Sequence, residues 1–306
     1  MATDTDILFT EFGGSMAWRA ADLRDDEWRL ALPGPVITEL GAVVDKVRGA
    51  TVPAVALRPE DFLLPATRQF MAKVRSRLRE GRGFVVLNGL PVREWAGAGS
   101  TLAYWLLSGL VARPVAQKLD GTLVSDVHDT GLQATPGSGV RPDKTSIEQY
   151  FHNDNAYNRG QPEFVGLLCL QSAVEGGRSG VASIRAVHND LLRQHPAALA
   201  RLYQPFLFDR QKEHAAGEPG AVSAPIFASD KGELKMRMGL YRLLNAYRLP
   251  GKRARRGRRA GHRTAQGSAG RSWPVPQLHD GSGRHPVCEQ PGHLPSPHCV
   301  HRSSGA

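Results

Sequence analysis

The densest concentration of chemistry-bearing residues in the sequence is Phe151-His152-Asn153-Asp154-Asn155-Ala156-Tyr157, in which a histidine and an aspartate stand two positions apart. On a β-strand, residues i and i+2 face the same side. The spacing therefore presents an imidazole and a carboxylate, His152 and Asp154, to one ion. Two histidines and one carboxylate on one face of a metal make the facial triad of non-haem Fe(II) chemistry, which leaves coordination positions for a co-substrate chelate and for dioxygen. His-x-Asp alone also occurs in surface turns and in satisfied polar pairs, so its surroundings decide between these readings.

The surroundings offer further polar groups, each with a plain structural reading beside the functional one. Gln117, Asp126, Asn155 and Tyr157 are candidates to line a substrate pocket, and equally candidates for structural hydrogen bonding. Ser179 follows Gly176-Gly177-Arg178 and reads in isolation as a turn serine. His128, His188 and His214 read as surface or core histidines. Cys169 sits in an apolar run and reads as a small buried hydrophobe.

The elements that must position these groups are mixed α and β. Apolar spacing predicts amphipathic helices over 35–48, 66–80 and 98–111. GFVVLNGL at 83–90 reads as a buried strand ending in a turn. Strands are further predicted over 122–127, 148–154, 164–173 and 181–186, a helix over 187–204, and late strands in APIFAS and ELKMRMG. Short strands, with helices held mostly in the first half, indicate a β-sandwich or barrel dressed with helices rather than a βαβ alternation.

Hydrophobic residues make up 41% of the 306 and charged residues 22%, the proportions of a globular domain. The N-terminus carries acids and no basic leader, and no apolar run is long enough to span a bilayer. Three cysteines give no disulfide framework. The expectation is a cytoplasmic protein without membrane contact; a homo-oligomer is compatible with it. The net charge of +10 is unevenly placed: residues 251–306 hold ten Lys/Arg and two Asp/Glu, which leaves +2 for the first 250. From 251 onward there is no Phe, Tyr, Ile or Met, so this tail has too little apolar surface to offset its chain entropy and is expected to be disordered. KRARRGRR could meet phosphates electrostatically, but no specific nucleic-acid site is indicated. Cys288, His293, His298, Cys299 and His301 fit no common closed zinc spacing.

RPDKTSIEQYFHNDNAYNRGQPEFVGLLCLQSAVEGGRSGVASI resembles the core of the taurine dioxygenase (TauD/TfdA) family. That family has a strand ending in His-x-Asp, a proline before the next strand and a Gly-Gly-x-Ser/Thr turn about 25 residues on. The matching positions are His152, Asp154, Pro162 and Gly176 to Ser179, and the likeness runs over roughly 80–245. The resemblance implies a double-stranded β-helix core (a jelly roll, clavaminate synthase-like) with flanking helices, so an α+β, mainly β class. It implies Fe(II) bound by His152 and Asp154, with 2-oxoglutarate as co-substrate and Ser179 contacting its carboxylate. It also implies O2 as oxidant and hydroxylation of a small-molecule substrate with release of succinate and CO2.

The family's second histidine and its co-substrate arginine belong to a C-terminal pattern, G-D-x-x-F-x-N-N-x-x-x-x-H-x-R-T-x-F, that is absent from 246–306. A one-nucleotide shift across Gly283–Val300 permits G-D-I-Q-F-V-N-N-R-V-I-F-H-R-R-T-A-F, and the positions with only two codon outcomes all fall correctly. The sequence is therefore divided into an incomplete dioxygenase domain, 1–250, and an out-of-frame tail, 251–306. A frameshift between about Tyr241 and Lys252 accounts for both, and the last core strands are expected to be missing. The alternative is an inactive remnant whose basic tail binds polyanions non-specifically.

Overall fold

The computed structural model describes residues 7–133, 138, 140–147, 149–157, 161–173 and 177–248, together with the backbone of 299–303. In chain order the elements are α1 (Asp25–Trp28), β1 (Arg29–Ala31), α2 (Gly34–Val47), α3 (Pro65–Glu80), β2 (Val86–Asn88), α4 (Val92–Val111), β3 (Gln149–His152), β4 (Ser179–Ser183), α5 (Ile184–Gln194), α6 (Pro196–Leu202), β5 (Phe206–Asp209), β6 (Ala221–Ala224), β7 (Phe227–Asp230), β8 (Glu233–Met236), α7 (Leu240–Ala246) and β9 (Cys299–Ser303).

The first half is a helical layer. Helix α2 buries Val36, Leu40, Val43 and Val44, and α3 buries Thr67, Met71, Val74 and Leu78, the three-and-four spacing of one helical face. These faces and that of α4 close on Leu30 of β1 and Leu87 of β2, which pair in parallel with Leu30 opposite Leu87. A Cβ on Gly99 would lie 2.8 Å from Val44 Cγ1, so glycine permits the close approach of α4 to α2. Helix α3 has no local cap; instead the Glu39 carboxylate accepts from the backbone N–H groups of Ala66 (2.9 Å) and Thr67 (2.8 Å).

The second half carries most of the strands and its own core, built from Phe151, Ile184, Leu191, Phe206, Phe208, Phe227, Leu234, Met236 and Leu243 among others. Strands β5 and β6 pair antiparallel, as do β7 and β8. Val181 of β4 packs with Trp18, Trp28, Phe84 and Val86, which joins the two halves.

Several expected elements differ, each for a local reason. The helix expected over 98–111 begins at Val92 but is interrupted at Ala96, whose φ is 52°. The helix expected over 187–204 starts earlier and splits into α5 and α6, because Pro196 forces His195 into an extended φ of −144°. The strand expected over 181–186 stops at Ser183, whose Oγ accepts from Ala186 N at 3.1 Å and caps α5. Residues 122–127 form no strand, and 164–173 hold only an isolated bridge at Leu167. Leu123, Val124, Phe164 and Leu168 nonetheless pack against the helical cores, so apolar content there serves packing and not a ladder. The strands consequently stand in four small sheets among the described residues. No described helix is long and apolar enough to cross a membrane.

In the tail, 251–298 and 304–306 lie outside the described residues, and the expected disorder there with them. Cys299–Ser303 departs from that expectation. It lies between β3 and β4 and pairs antiparallel with both, satisfying ladder groups that each would otherwise present as an edge.

Candidate active site

Strand β3 ends at the His-x-Asp pair. Phe151 is buried in the second core, which turns Tyr150 and His152 to the opposite face. The chain then leaves the ladder in a turn fixed by two contacts to Met238, two residues past β8. Asn153 N donates to Met238 O (2.9 Å), and Met238 N donates to Asn153 Oδ1 (3.2 Å). Arg237 Nη1 donates to Ala156 O at 2.7 Å, and Gln161 Nε2 to Met236 O at 3.1 Å. Asn155 takes the left-handed φ of 52° that the turn requires, a conformation asparagine tolerates.

This scaffold sets the chemistry of His152. Its Nδ1 lies 2.7 Å from Tyr150 O; a carbonyl only accepts, so Nδ1 carries the proton and Nε2 keeps the lone pair. Nε2 lies 3.6 Å from Asp154 Oδ1. Burial disfavours a charged imidazole, but the hydrogen bond and charge of Asp154 and the Tyr150 carbonyl outweigh it and raise the pKa above its ordinary value. The pair is thus a cation-attracting corner with a nitrogen and an oxygen donor side by side.

Beyond Asp154 the turn delivers Tyr157 into a charged cluster. The phenol donates to Glu213 Oε2, and Arg141 Nη1 pairs with Glu213 Oε1 at 3.0 Å while its Nε lies 3.1 Å from Asp143 Oδ1. Burial, followed by the hydrogen bond to Glu213, pushes the Tyr157 pKa up to about 12, so it remains a donor. The Arg242 guanidinium, from the first turn of α7, sits 4.0 Å from the centroid of the Tyr157 ring.

The other expected residues are placed less centrally. Ser179 opens β4 and is level with Ser303 of β9, which in turn pairs with Gln149; His152 is level with His301 and, across it, Val181. Ser179 therefore shares the sheet with His152 but stands two strands across, about 10 Å at ladder spacing, and three residues along, about 10 Å more. Gln117 donates from Nε2 to Leu123 O (2.8 Å) and from its backbone N to Thr122 O (2.7 Å), which closes an exposed loop. Asp126 lies in the following exposed stretch, where its carbonyl accepts from Lys144 Nζ. Gly176 lies outside the described residues. His188 is wholly buried against Tyr203, as a core histidine. Among the described residues no group of three His, Cys, Asp or Glu is arranged to hold a metal.

Arg141, Glu213 and Arg242 were not singled out by sequence reasoning. Arg141 opens the segment that resembles the family and was within reach of it. Glu213 and Arg242 come from a loop and a short helix 56 and 85 residues beyond Tyr157, and their contacts with that ring and hydroxyl bring them in.

The model of the family described as "Taurine catabolism dioxygenase TauD, TfdA family" matches residues 50–291. FR-33289 synthase of Streptomyces rubellomurinus is 26% identical over 233 residues, covering 76% of this chain and 67% of that protein. Taurine hydroxylase-like protein SAT17 of Stachybotrys chartarum is 24% identical over 68% of this chain and 56% of its own length, so the chain spans little more than half of that relative. Among solved structures, asparagine oxygenase in complex with Fe(II), 3-hydroxyasparagine and succinate superposes with a TM-score of 0.63 at 18% identity, over 91% of this chain and 88% of that one. The non-heme iron oxygenase OrfP in complex with Fe and alpha-ketoglutaric acid gives 0.60 at 14%, over 91% and 88%. Both share the fold.

Proposed function

The chain belongs to the TauD/TfdA family of dioxygenases, and on that premise we propose that it is an Fe(II)- and 2-oxoglutarate-dependent enzyme that hydroxylates a small organic molecule with release of succinate and CO2. The observation that carries the reading is the corner formed by His152 Nε2 and Asp154 Oδ1, 3.6 Å apart, with the imidazole tautomer set by Tyr150 O. Two donors bound at right angles to one ion at about 2.1 Å stand about 3 Å apart, so this pair reaches a common ion with a small closure. A backbone carbonyl on the distal nitrogen is the usual device that orients a ligating histidine.

When bound, the iron supplies the coupling of 2-oxoglutarate decarboxylation to C–H hydroxylation. The chain's own residues hold and shape. His152 and Asp154 hold the metal, and the Asn153–Met238 contacts keep the turn between them from opening. Ser179, on the same sheet, offers a hydroxyl toward a carboxylate of the co-substrate. Tyr157, buried beyond Asp154, excludes water from one side of the corner.

The third ligand is the histidine that the shifted frame over 283–300 supplies in the family's pattern. The +8 carried by residues 251–306 supports a second reading, in which this polypeptide is an inactive remnant with a polyanion-binding tail.

Anaerobic calorimetric titration tests the reading. Fe(II) should bind the chain, 2-oxoglutarate should bind only with Fe(II) present, and His152→Ala or Asp154→Ala should weaken the metal at least about tenfold. Equal Fe(II) binding by both variants would remove His152 and Asp154 from the site.

A further inference from the structure

We propose that Arg242, supported by Arg141, binds an anionic group of the primary substrate beside the His152–Asp154 corner; this rests on the functional reading above. Arg242 Nη1 is a buried guanidinium nitrogen with no hydrogen-bond partner. A buried charged donor without an acceptor is costly, and its natural complement is an acceptor supplied by a ligand. The surrounding anions have other attachments. Glu213 is held by Arg141 at 3.0 Å and by the Tyr157 hydroxyl, and Asp154 faces His152. Arg242 is itself fixed by stacking on the Tyr157 ring at 4.0 Å, so its fork is aimed before any ligand arrives.

The unpartnered donor and its position identify the ligand. Arg141, Arg237 and Arg242 balance Asp143, Asp154 and Glu213 in the cluster, and 2-oxoglutarate itself balances the divalent cation, so it is the unpartnered Arg242 Nη1 rather than net charge that calls for an acceptor. A guanidinium with an unpartnered Nη1 suits a carboxylate or a phosphate-type oxyanion, which accepts a charge-assisted hydrogen bond from it. Two anions are candidates, the co-substrate and the substrate, and they are separated along β3. Ser179 is level with Gln149, at the start of that strand. Tyr157 and Arg242 lie beyond its other end, past His152 and Asp154. The two anion-holding groups thus flank the metal corner from opposite ends, and Arg242 occupies the side left for the substrate.

The test is calorimetric titration of the full chain with methylphosphonate and with acetate, with and without Fe(II) and saturating 2-oxoglutarate under anaerobic conditions. The wild-type chain should bind at least one of these anions whether or not 2-oxoglutarate is present. Arg242→Gln should weaken that binding by about tenfold, the equivalent of one charge-assisted hydrogen bond, while Arg242→Lys, which keeps the charge, loses less. Affinity for 2-oxoglutarate should be unchanged in both variants. Anion binding that 2-oxoglutarate displaces, with weaker 2-oxoglutarate binding in Arg242→Gln, would overturn the proposal by assigning Arg242 to the co-substrate. Equal binding in wild type and Arg242→Gln, an adventitious ion only, would also overturn it, as would no binding by a wild-type chain that binds Fe(II) and 2-oxoglutarate. If the chain fails to bind Fe(II), the functional reading fails, while Arg242-dependent anion binding remains measurable in the metal-free arm. Thermal unfolding of both variants checks that the fold is kept.

Discussion

Acid should destabilise this protein through one buried histidine. His188 is 0% exposed, its Nε2 is 2.9 Å from the Tyr203 hydroxyl, and the rings of Phe12 and Phe227 stand edge-on at 5.0 and 5.4 Å. Burial pulls its pKa down to about 4, against about 6.5 in an unfolded chain. Above pH 6.5 both states are neutral and the group contributes no pH dependence. Below it the unfolded state takes up the proton first, so stability falls with pH until the folded form also titrates near pH 4. At 1.36 kcal/mol per unit, the whole window costs about 3 kcal/mol, of which about 2.5 kcal/mol is lost by pH 4.5. That is a large fraction of the 5–15 kcal/mol typical of a domain. Urea unfolding at pH 7.5 and pH 4.5, on wild type and on His188→Gln, isolates the effect, because the carboxylates titrate equally in both proteins. Wild type should lose about 2.5 kcal/mol more than the variant over that interval. Equal losses would refute the assignment of His188 as a histidine buried in its neutral form.

Tyr157→Phe removes the donor to Glu213 but keeps the ring under Arg242 and leaves Glu213 paired with Arg141; it should cost about 1–2 kcal/mol in chemical denaturation, and no change would mean that the phenol is not hydrogen-bonded. Glu39→Ala strips the carboxylate that accepts from Ala66 N and Thr67 N at the start of α3, a loss of about 1–2 kcal/mol, and Glu39→Gln should recover part of it. Phe227→Ala empties a fully buried site in the second core and should cost about 3–5 kcal/mol. For the polyanion reading, the full chain should be retained on immobilised DNA at low salt and released as salt rises, and a chain ending at 250 should not be retained; retention of the shortened chain would place the binding outside the +8 tail.

The helices α2 and α3 were legible because their apolar residues repeat at three and four and proline marks each start. Strand β3 falls within the expected 148–154, and β7 and β8 overlap the strands expected in APIFAS and ELKMRMG. The runs at 122–127 and 164–173 misled because composition registers packing, and Leu123 and Phe164 are partly buried against a helical core without any ladder partner. α7 was missed because its helical stripe is only Leu243 and Ala246, yet both are buried, which puts the change of character in the sequence after the last packed turn. At the site, His152 and Asp154 were visible because the chemistry depends on near neighbours. Arg242 was invisible because its relevance is created by a contact with Tyr157, 85 residues away in the sequence.

The central claim, that His152 and Asp154 are half of an iron site completed only by the shifted C-terminal frame, is tested most directly by succinate release. A chain carrying the shifted frame from about codon 250, supplied with Fe(II), O2 and 2-oxoglutarate, should form succinate, and the same chain with His152→Ala should not. The chain as written should release far less than the frame-corrected one. No succinate from the frame-corrected chain, or equal release after His152→Ala, would contradict the account.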